Sequence, residues 1–401
     1  MLVKAITLFF KIFTLPFWYL QRLFPRNKKL WLFGAGEGFL YSDNSKWLFE
    51  YAIENKKGYR SIWITRNKDV FKKLKREKKP VVMTNSLKGI YYSLRAGVLF
   101  LTNSPKDFNT RAINGAYQIW LWHGVMMKQI GIDANRFSYS KLNFKGKVLR
   151  EIVKLIFPEY IYKPDFVINT SDYFTPFFCS AFNLSSDKVL ITGYPRNDII
   201  FTEKKDSFVK LIDAKYQNPF KILYLPTWRK TSYGSEDRFS PFHSFNFSLQ
   251  DFLQFLEINN AVFLNKSHYF DKGNPLLNAQ ETRFINLEND QISDLYLVLK
   301  DVDLLITDYS SVYFDFLLTG KPVILAPFDY ESYISNSRPL YYDYFKEIEG
   351  IKASNWVELL EILKNKNYYS VSPATVRKFH KHPDRESSRR VIEVITDYLN
   401  I

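Results

Sequence analysis

The chain has 401 residues, which is more than one hydrophobic core usually organises, so its length predicts two domains. Hydrophobic residues make up 46% and aromatic residues 18%, which excludes an intrinsically disordered chain. The formal net charge of +15 favours phosphates, anionic lipid or nucleic acid as partners without selecting among them. The single cysteine, Cys179, excludes an internal disulfide and is interpreted as a packing residue in a reducing, cytoplasmic compartment.

The N-terminal segment, residues 1–29, is rich in Leu, Ile and Phe, and its polar residues recur at helical spacing on one narrow face. Ten uncharged residues separate Lys11 from Arg22, about half of the roughly 20 that a membrane-spanning helix needs. The pattern favours an amphipathic helix, bent near Pro16, on an anionic membrane surface; the alternative is a helix that packs in the core. The residues predicted to contact the membrane are Lys4, Phe9, Phe13, Trp18 and Arg22.

From Leu30 onward, short apolar runs alternate with amphipathic ones, as expected for parallel strands that are covered by helices on both faces. The predicted strands of the first series are residues 30–33, 61–65, 80–84, 98–101, 118–122, 165–169 and 189–192. They define a first Rossmann-like domain over residues 30–200, and a turn-rich linker is expected around residues 193–219.

A second series of apolar runs predicts another Rossmann-like domain over residues 201–401. Its predicted strands are residues 221–225, 261–265, 283–286, 303–307 and 322–326. The predicted fold class is therefore α/β of the GT-B arrangement, with two facing Rossmann-like domains and an N-terminal amphipathic membrane helix. Ligands of such folds bind at the carboxyl ends of the strands, so motifs are expected there.

His123 follows the apolar run 118–122 and precedes Gly124, which predicts an imidazole at the carboxyl end of a strand with space for a ligand. Near neutral pH an imidazole is suited to removing the proton of a hydroxyl group that attacks phosphorus or carbon. From position alone, a structural histidine is an equally good interpretation.

Basic side chains follow two strands of the second series. Lys266 and His268 come directly after residues 261–265, and alternation along a strand would place both on one side, where they can grip a phosphate. Arg229 follows residues 221–225 and offers a guanidinium suited to bidentate phosphate binding. The alternative for each of them is an exposed basic turn.

A strand, a tight turn and a helix start follow one another at residues 303–318. Ser310 or Ser311 can cap the helix, whose first N–H groups and positive dipole end suit a diphosphate; simple capping is the alternative. Asp308 and Asp315 are interpreted as structural acceptors rather than metal ligands, because no further acidic partner appears at useful spacing. No metal site is expected.

Ser388 and Arg390 belong to a polar cluster, with His380, His382 and Asp384, at the start of the last predicted helix. The cluster is interpreted either as solvated surface or as a group that closes over a bound donor. The pattern supports the two interpretations equally.

Five motifs occur together in one order along the chain. They are residues 122–124 (Trp-His-Gly), 193–198 (Gly-Tyr-Pro-Arg-Asn-Asp), 225–229 (Leu-Pro-Thr-Trp-Arg), 266–268 (Lys-Ser-His) and 307–311 (Thr-Asp-Tyr-Ser-Ser). With these motifs the chain resembles the CDP-glycerol glycerophosphotransferases of teichoic acid synthesis over nearly its whole length. Its opening, with an apolar helix, a basic stretch and residues 30–34 and 43–46, resembles the membrane-associated primase branch.

The resemblance implies that His123 is the general base for an acceptor hydroxyl, which attacks the β-phosphorus of CDP-glycerol in line and displaces CMP. The catalytic residues that it implies are His123 and His268. The donor-binding residues that it implies are Arg229, Lys266, His268, Thr307, Asp308, Ser310, Ser311, Ser388 and Arg390. The acceptor-side residues that it implies are Trp122, Gly124 and Lys128.

The same resemblance implies CDP-glycerol as donor, with no cofactor and no metal, and a lipid-linked glycan of the undecaprenyl diphosphate type as acceptor. Residues 30–200 would bind the acceptor, and residues 201–401 would bind the nucleotide donor. The expected location is peripheral, on the anionic cytoplasmic face of the bacterial cell membrane, and nucleic acid is not an expected partner.

Two departures from the family pattern bear on the identity of the acceptor. Met126 stands where the family often has Pro, and Arg385 stands where a Gly usually follows the Asp. The alternatives are a ribitol-phosphate transferase, or a GT-B sugar transferase that serves a capsule or another surface polysaccharide.

Overall fold

The structure is a computed structural model. It describes residues 13, 15–55, 58–134, 143–148, 151, 163–203, 205–227, 241–266, 283–287, 292, 294–336 and 339–401. The chain divides into two compact units. Unit 1 comprises residues 1–123, 130–198 and 386–401, and unit 2 comprises residues 124–129 and 199–385. Residues 386–401, which the sequence pattern placed in the second domain, therefore belong to unit 1.

Unit 1 is built on one parallel sheet, in which seven strands of the described chain pair in the order β3-β2-β1-β4-β5-β6-β7. The strands are β1 (Asn27–Gly34), β2 (Arg60–Thr65), β3 (Val81–Met83), β4 (Ala96–Leu101), β5 (Tyr117–Trp120), β6 (Phe166–Asn169) and β7 (Val189–Ile191). The α-helices are α1 (Leu15–Leu20), α2 (Asp43–Glu54), α3 (Lys68–Arg76), α4 (Leu87–Arg95), α5 (Thr175–Phe182) and, from the far end of the chain, α15 (Ser387–Leu399).

Unit 2 also contains one parallel sheet, in which six strands of the described chain pair in the order β10-β9-β8-β11-β12-β13. The strands are β8 (Phe220–Leu225), β9 (Ala261–Asn265), β10 (Phe284–Asn286), β11 (Leu304–Thr307), β12 (Val323–Leu325) and β13 (Ile351–Lys352). The helices are α6 (Ser207–Tyr216), α7 (Pro241–Ser244), α8 (Leu249–Ile258), α9 (Leu295–Leu299), α10 (Val312–Leu317), α11 (Tyr330–Asn336), α12 (Tyr344–Glu347), α13 (Trp356–Lys364) and α14 (Pro373–Phe379).

Central strands such as β4 and β11 are buried along their length because both of their faces are covered. In unit 1 the ring of Phe100 on β4 stacks on Phe33 of β1 at 4.7 Å between centroids. In unit 2 the buried indole of Trp356 packs against the rings of Tyr224 and Phe242, at 5.3 and 5.1 Å. The two parallel sheets confirm the predicted α/β class.

The structure differs from the predicted elements in three places. β5 ends at Trp120, two residues before the predicted end, so His123 lies in a loop and not directly on a strand end. The predicted linker around residues 193–219 contains a 3₁₀ helix, Pro195–Phe201, and the helix α6. The two-residue strand β13 was not predicted, because so short a run carries no periodic signal.

The described part of the N-terminal segment is α1 followed by a 3₁₀ turn, Gln21–Leu23. Phe13 is 74% exposed and Arg22 is exposed. Trp18 is only 3% exposed and its carbonyl accepts a hydrogen bond from Asn114 Nδ2 at 2.8 Å, so this indole packs in the protein and does not face outward as predicted. Lys4 and Phe9 lie outside the described residues.

None of the helices in the described ranges combines the length and the apolar character that crossing a bilayer requires.

Candidate active site

His123 is an exposed side chain in the loop that follows β5. The preceding residue, Trp122, has a φ of 53°, in the left-handed region, which turns the chain sharply after the strand. The indole of Trp122 lies 4.5 Å from the His123 ring and packs edge-on against Phe182 at 5.1 Å, between ring centroids. The imidazole is therefore presented to solvent beside a packed aromatic ring.

Side chains from distant parts of unit 1 hold the backbone of this loop. Asn44 Nδ2 donates to the carbonyls of Leu121 and Trp122, at 3.1 and 2.8 Å. Arg196 Nη1 donates to the carbonyl of His123 at 2.9 Å and to Asp43 Oδ1 at 2.7 Å. The motif at residues 193–198 thus contacts the Trp-His-Gly motif directly.

The same motif also anchors the start of α15. Asp198 accepts the backbone N–H groups of Ser387 and Ser388 at 2.9 and 2.8 Å. Burial raises the pKa of Asp198 to about 6, although these hydrogen bonds oppose the shift. Gly193 has a φ of +78°, and a Cβ there would lie 2.5 Å from Ser387 Oγ, so this position requires glycine.

Ser388 and Arg390, two of the predicted donor-binding residues, lie in unit 1. The side chain of Ser388 is buried, and Arg390 Nε donates to the carbonyl of Thr192 at 2.9 Å. Arg390 thus fastens α15 to the end of β7, and Ser388 fastens it to Asp198. Their predicted role at the donor stays a prediction.

His380, from the same predicted cluster, is buried in unit 2. Its Nε2 lies 2.8 Å from the carbonyl of Phe314 in α10, and burial lowers the pKa of the imidazole. A buried histidine with this contact supports α10 and is not part of a solvated surface.

A second buried carboxylate organises the ends of β1 and β4. Asp107 accepts the N–H groups of Glu37, Thr102 and Asn103 at 2.7, 2.9 and 3.1 Å. These bonds fasten the 3₁₀ turn Gly36–Gly38 beyond β1, in which all three residues have positive φ. Burial raises the pKa of Asp107 from 3.8 to about 6.

The raised pKa makes Asp107 a source of pH-dependent stability. The carboxyl group is protonated up to about pH 6 in the folded chain but ionises near pH 3.8 when unfolded, so its stabilisation is complete below pH 3.8 and is lost as the pH rises through 6. Asp107→Asn removes this dependence. Its free energy of unfolding relative to wild type should therefore rise by about 3 kcal/mol between about pH 3 and pH 7, measured by urea titration.

Asp69→Asn is the matched control, because Asp69 is an exposed aspartate on α3 of the same unit. Its difference from wild type should change by less than about 1 kcal/mol over the same range, because a charge at an exposed helix start contributes little. A change this small for Asp107→Asn would contradict the prediction.

In unit 2, the carboxyl ends of β8 and β11 are joined through Asp308. The Oδ1 atom of Asp308 accepts the N–H and the hydroxyl of Thr227, at 2.8 and 2.6 Å, and the N–H of Tyr309 at 2.6 Å. The hydroxyl of Thr307 donates to the carbonyl of Leu225 at 2.6 Å. Thr307 and Asp308 are both buried. In this structure their side chains hold the carboxyl ends of β8 and β11 together.

The two serines of the predicted helix start are half-buried. Ser310 Oγ accepts the N–H of Val312 at 3.4 Å, whereas the side chain of Ser311 makes no capping bond to α10. The loop of residues 308–311 leads from β11 to α10, as predicted.

Lys266 lies directly after β9, also at a carboxyl end of the unit 2 sheet. Its Nζ donates to the carbonyl of Leu287 beyond β10 at 2.9 Å. Because β8 separates β9 from β11, Lys266 and the loop of residues 308–311 lie on either side of the end of β8, about 10 Å apart at the backbone. That separation suits a phosphorylated ligand held from two sides.

Arg229 and His268 lie outside the described residues. On the predicted acceptor side, Gly124 is buried and has a φ of +149°. The Nζ of Lys128 lies 4.5 Å from the centroid of the Tyr333 ring, and both belong to unit 2. The chain passes from unit 1 to unit 2 after His123, inside the Trp-His-Gly motif.

The sequence pattern gave no individual role to Asn44 and Arg196, which hold the loop of His123. Asn44 and Arg196 lie inside segments that resemble the family, and each combines a strongly polar side chain with near-complete burial. A polar residue within a motif is the one signal that could have indicated them. Their partners could not be predicted, because the bonded residues lie 73 to 153 positions apart.

Comparison with known proteins identifies the family. The model of the CDP-glycerol:poly(glycerophosphate) glycerophosphotransferases matches residues 17–397. A teichoic acid glycerol-phosphate transferase of Staphylococcus aureus is 29% identical, covering 92% of this chain and 93% of the relative. A teichoic acid poly(glycerol phosphate) polymerase of Bacillus spizizenii is 30% identical, covering 98% of both chains.

Among solved structures, the wall teichoic acid polymerase TagF matches with a TM-score of 0.73 at 22% identity, over 99% of this chain and 96% of that one. A structure of a TagF variant soaked with CDPG matches with a TM-score of 0.71 at 21% identity and the same coverage. This likeness shows the fold, an α/β architecture with two parallel sheets.

The family model and the two curated relatives define a transferase, which has an α/β fold. The chain belongs to the CDP-glycerol:poly(glycerophosphate) glycerophosphotransferase family and is an enzyme of teichoic acid biosynthesis. The predicted resemblance and enzyme class are thereby confirmed.

Proposed function

We propose that this enzyme transfers glycerol phosphate from CDP-glycerol to a hydroxyl group of a lipid-linked glycan and releases CMP. The observation that carries the proposal is His123, an exposed imidazole on a loop whose backbone is fixed by buried side chains, in a chain that its family model covers from residue 17 to 397. The work of the protein in such a transfer is to orient the reactants and to stabilise charge.

His123 acts as the general base. It accepts the proton of the acceptor hydroxyl while that oxygen forms a bond to the β-phosphorus of CDP-glycerol. The bond from this phosphorus to the bridging oxygen breaks, and CMP leaves with that oxygen. The product is a phosphodiester between glycerol and the acceptor.

The donor is proposed to bind at the carboxyl ends of β8, β9 and β11 in unit 2. The position of Lys266 after β9 and of Ser310 and Ser311 after β11 supports this site, because both flank the end of β8. Arg229 and His268 are proposed to complete it. Cationic side chains then carry the charge stabilisation, and the proposal includes no cofactor and no metal.

The chain is proposed to lie on the cytoplasmic face of a bacterial membrane. Six large apolar side chains of the described N-terminal segment are exposed: Phe13, Phe17, Tyr19, Leu20, Leu23 and Phe24. Three basic residues of the same segment, Arg22, Lys28 and Lys29, are also exposed and suit anionic headgroups. Asn114 fastens the segment to unit 1 by bonding to Trp18 and Gln21, which leaves these apolar side chains outside the core.

Charge substitutions on this surface are expected to release the protein from membranes. The double change Phe17→Asp and Leu23→Asp should lower binding to phosphatidylglycerol vesicles about tenfold or more, because each apolar side chain contributes about 1.5–3 kcal/mol when it is buried. Vesicle co-sedimentation measures this effect. Leu87→Asp, which changes an 88% exposed leucine on α4, should leave binding unchanged. Equal binding by the double variant would refute the membrane assignment.

Product analysis tests the reaction itself. The full chain should release CMP when it is incubated with CDP-glycerol and a defined lipid-linked disaccharide, and the product mass should increase by one or more glycerol phosphate units. CMP release should persist in EDTA. Absence of CMP with CDP-glycerol, together with release from CDP-ribitol, would move the proposal to a ribitol donor; a product resistant to phosphodiester cleavage would indicate glycosyl transfer.

A further inference from the structure

Three consecutive carbonyl groups at the candidate base are held by side-chain donors. Asn44 Nδ2 donates to the carbonyls of Leu121 and Trp122, and Arg196 Nη1 donates to the carbonyl of His123. Peptide carbonyls of a surface loop ordinarily bond to water, so three consecutive carbonyls that accept from two protein side chains form a specific arrangement.

The two donors form one buried network. Asn44 is 0% and Arg196 3% exposed. Asn44 Oδ1 accepts the backbone N–H of Arg196 at 3.2 Å, and Asp43 Oδ1 accepts the Arg196 guanidinium at 2.7 Å. Asp43 and Asn44 both lie at the start of α2, so a helix of the core carries the acceptors that fix Arg196.

This network determines the direction in which the Cα–Cβ bond of His123 points. The carbonyl of Trp122 sets the peptide plane before the His123 Cα, and the carbonyl of His123 sets the plane after it. With both planes held, φ and ψ of His123 are defined, and with them the direction of its Cα–Cβ bond. The network also holds Trp122 in the left-handed conformation, which costs a residue other than glycine roughly 1 kcal/mol or more.

We propose that Arg196 and Asn44, with Asp43, are positioning residues that aim His123 at the acceptor hydroxyl. The inference rests on the proposed role of His123 as base. A guanidinium suits position 196 because the two N–H bonds of its Nη1, fixed in a rigid plane, point to Asp43 and to the His123 carbonyl, whereas a lysine ammonium is a point charge on a flexible stem. The network touches neither reactant; its effect on rate is exerted through the imidazole.

Arg196→Lys tests the inference while keeping the charge. It should lower kcat about 10- to 100-fold, since a displacement of about 1 Å at a reacting group costs up to about 100-fold, and it should leave the KM for CDP-glycerol within about twofold. Arg66→Lys is the matched control, because Arg66 is another arginine of unit 1 that donates to backbone carbonyls, including that of Lys106 at 2.6 Å. The control should keep the kcat of the wild type.

A double-mutant cycle separates positioning from general damage. In a His123→Ala background, Arg196→Lys should have no further effect on kcat, because the side chain that it aims is gone. Equal effects of Arg196→Lys with and without His123 would overturn the inference. Wild-type activity of His123→Ala alone would instead refute the proposed function, so the two failures are distinguishable.

Asp43→Asn provides a second variant should Arg196→Lys not fold. Asp43 has a φ of +62°, which asparagine tolerates, and the amide oxygen still accepts from Arg196 without the charge. A roughly three- to tenfold lower kcat is expected, because the charge-assisted bond that fixes Arg196 is weakened. A kcat equal to wild type in this folded variant would overturn the inference.

Discussion

His123→Ala is expected to lower kcat for CMP release about 1000-fold, within the 100- to 10,000-fold range that a positioned general base contributes. The variant should fold normally, because the side chain is exposed and buried side chains hold the loop by its carbonyl groups. The KM for CDP-glycerol should change little, since the imidazole is proposed to act on the acceptor. Initial rates of CMP release, at saturating acceptor and varied CDP-glycerol, measure both quantities.

Added imidazole supplies the control for this variant. A diffusible base should restore part of the activity of His123→Ala and leave the wild type unaffected. A kcat within tenfold of wild type would mean that His123 is not the base.

Asp308→Ala is expected to lower the free energy of unfolding by about 3–5 kcal/mol. The substitution removes one acceptor from three donors in a buried site, and each unsatisfied buried donor costs about 1–3 kcal/mol. The donors are the N–H and hydroxyl of Thr227 and the N–H of Tyr309, so the loops after β8 and β11 lose their common anchor. Urea titration measures the stability, and a raised KM for CDP-glycerol should accompany its loss.

Two further substitutions distinguish the loss of the hydrogen-bond acceptor at position 308 from the loss of a negative charge. Asp308→Asn keeps an oxygen at this position and should recover much of the stability. Asp251→Ala changes an exposed aspartate on α8 of the same unit and should shift stability by less than about 1 kcal/mol. A loss below about 1 kcal/mol for Asp308→Ala would show that the three donors have other acceptors.

The strands were predictable because buried parallel strands are continuous apolar runs that end at polar residues. Each predicted strand of both series overlaps an observed one. The return of residues 386–401 to unit 1 was not predictable, since the apolar face of α15 does not indicate which sheet it covers. The end of β5 at Trp120 was also missed, because Leu121 and Trp122 continue the apolar run beyond the last residue that pairs in register with β4.

For the site, the sequence predicted which loops carry polar groups but not what holds those groups. His123, Lys266 and Ser310 were located by their places after apolar runs. Asp308 was predicted as a structural acceptor from its residue type and as a donor-binding residue from the family resemblance. Its bond to Thr227 spans 81 positions, and no local pattern encodes such a contact. Arg196 and Asn44 were missed for the same reason.

The division of unit 1 into three separate stretches of chain has a consequence for its synthesis. On the ribosome, unit 2 has all of its residues by position 385, whereas unit 1 waits for residues 386–401. Until then the rings of Tyr117 and Phe166 lack Tyr398 of α15, which packs on them at 5.7 and 4.8 Å. A gene fragment that stops near residue 200 should therefore yield an incomplete unit, and independent expression of unit 1 calls for the last helix to be fused to it or supplied in trans.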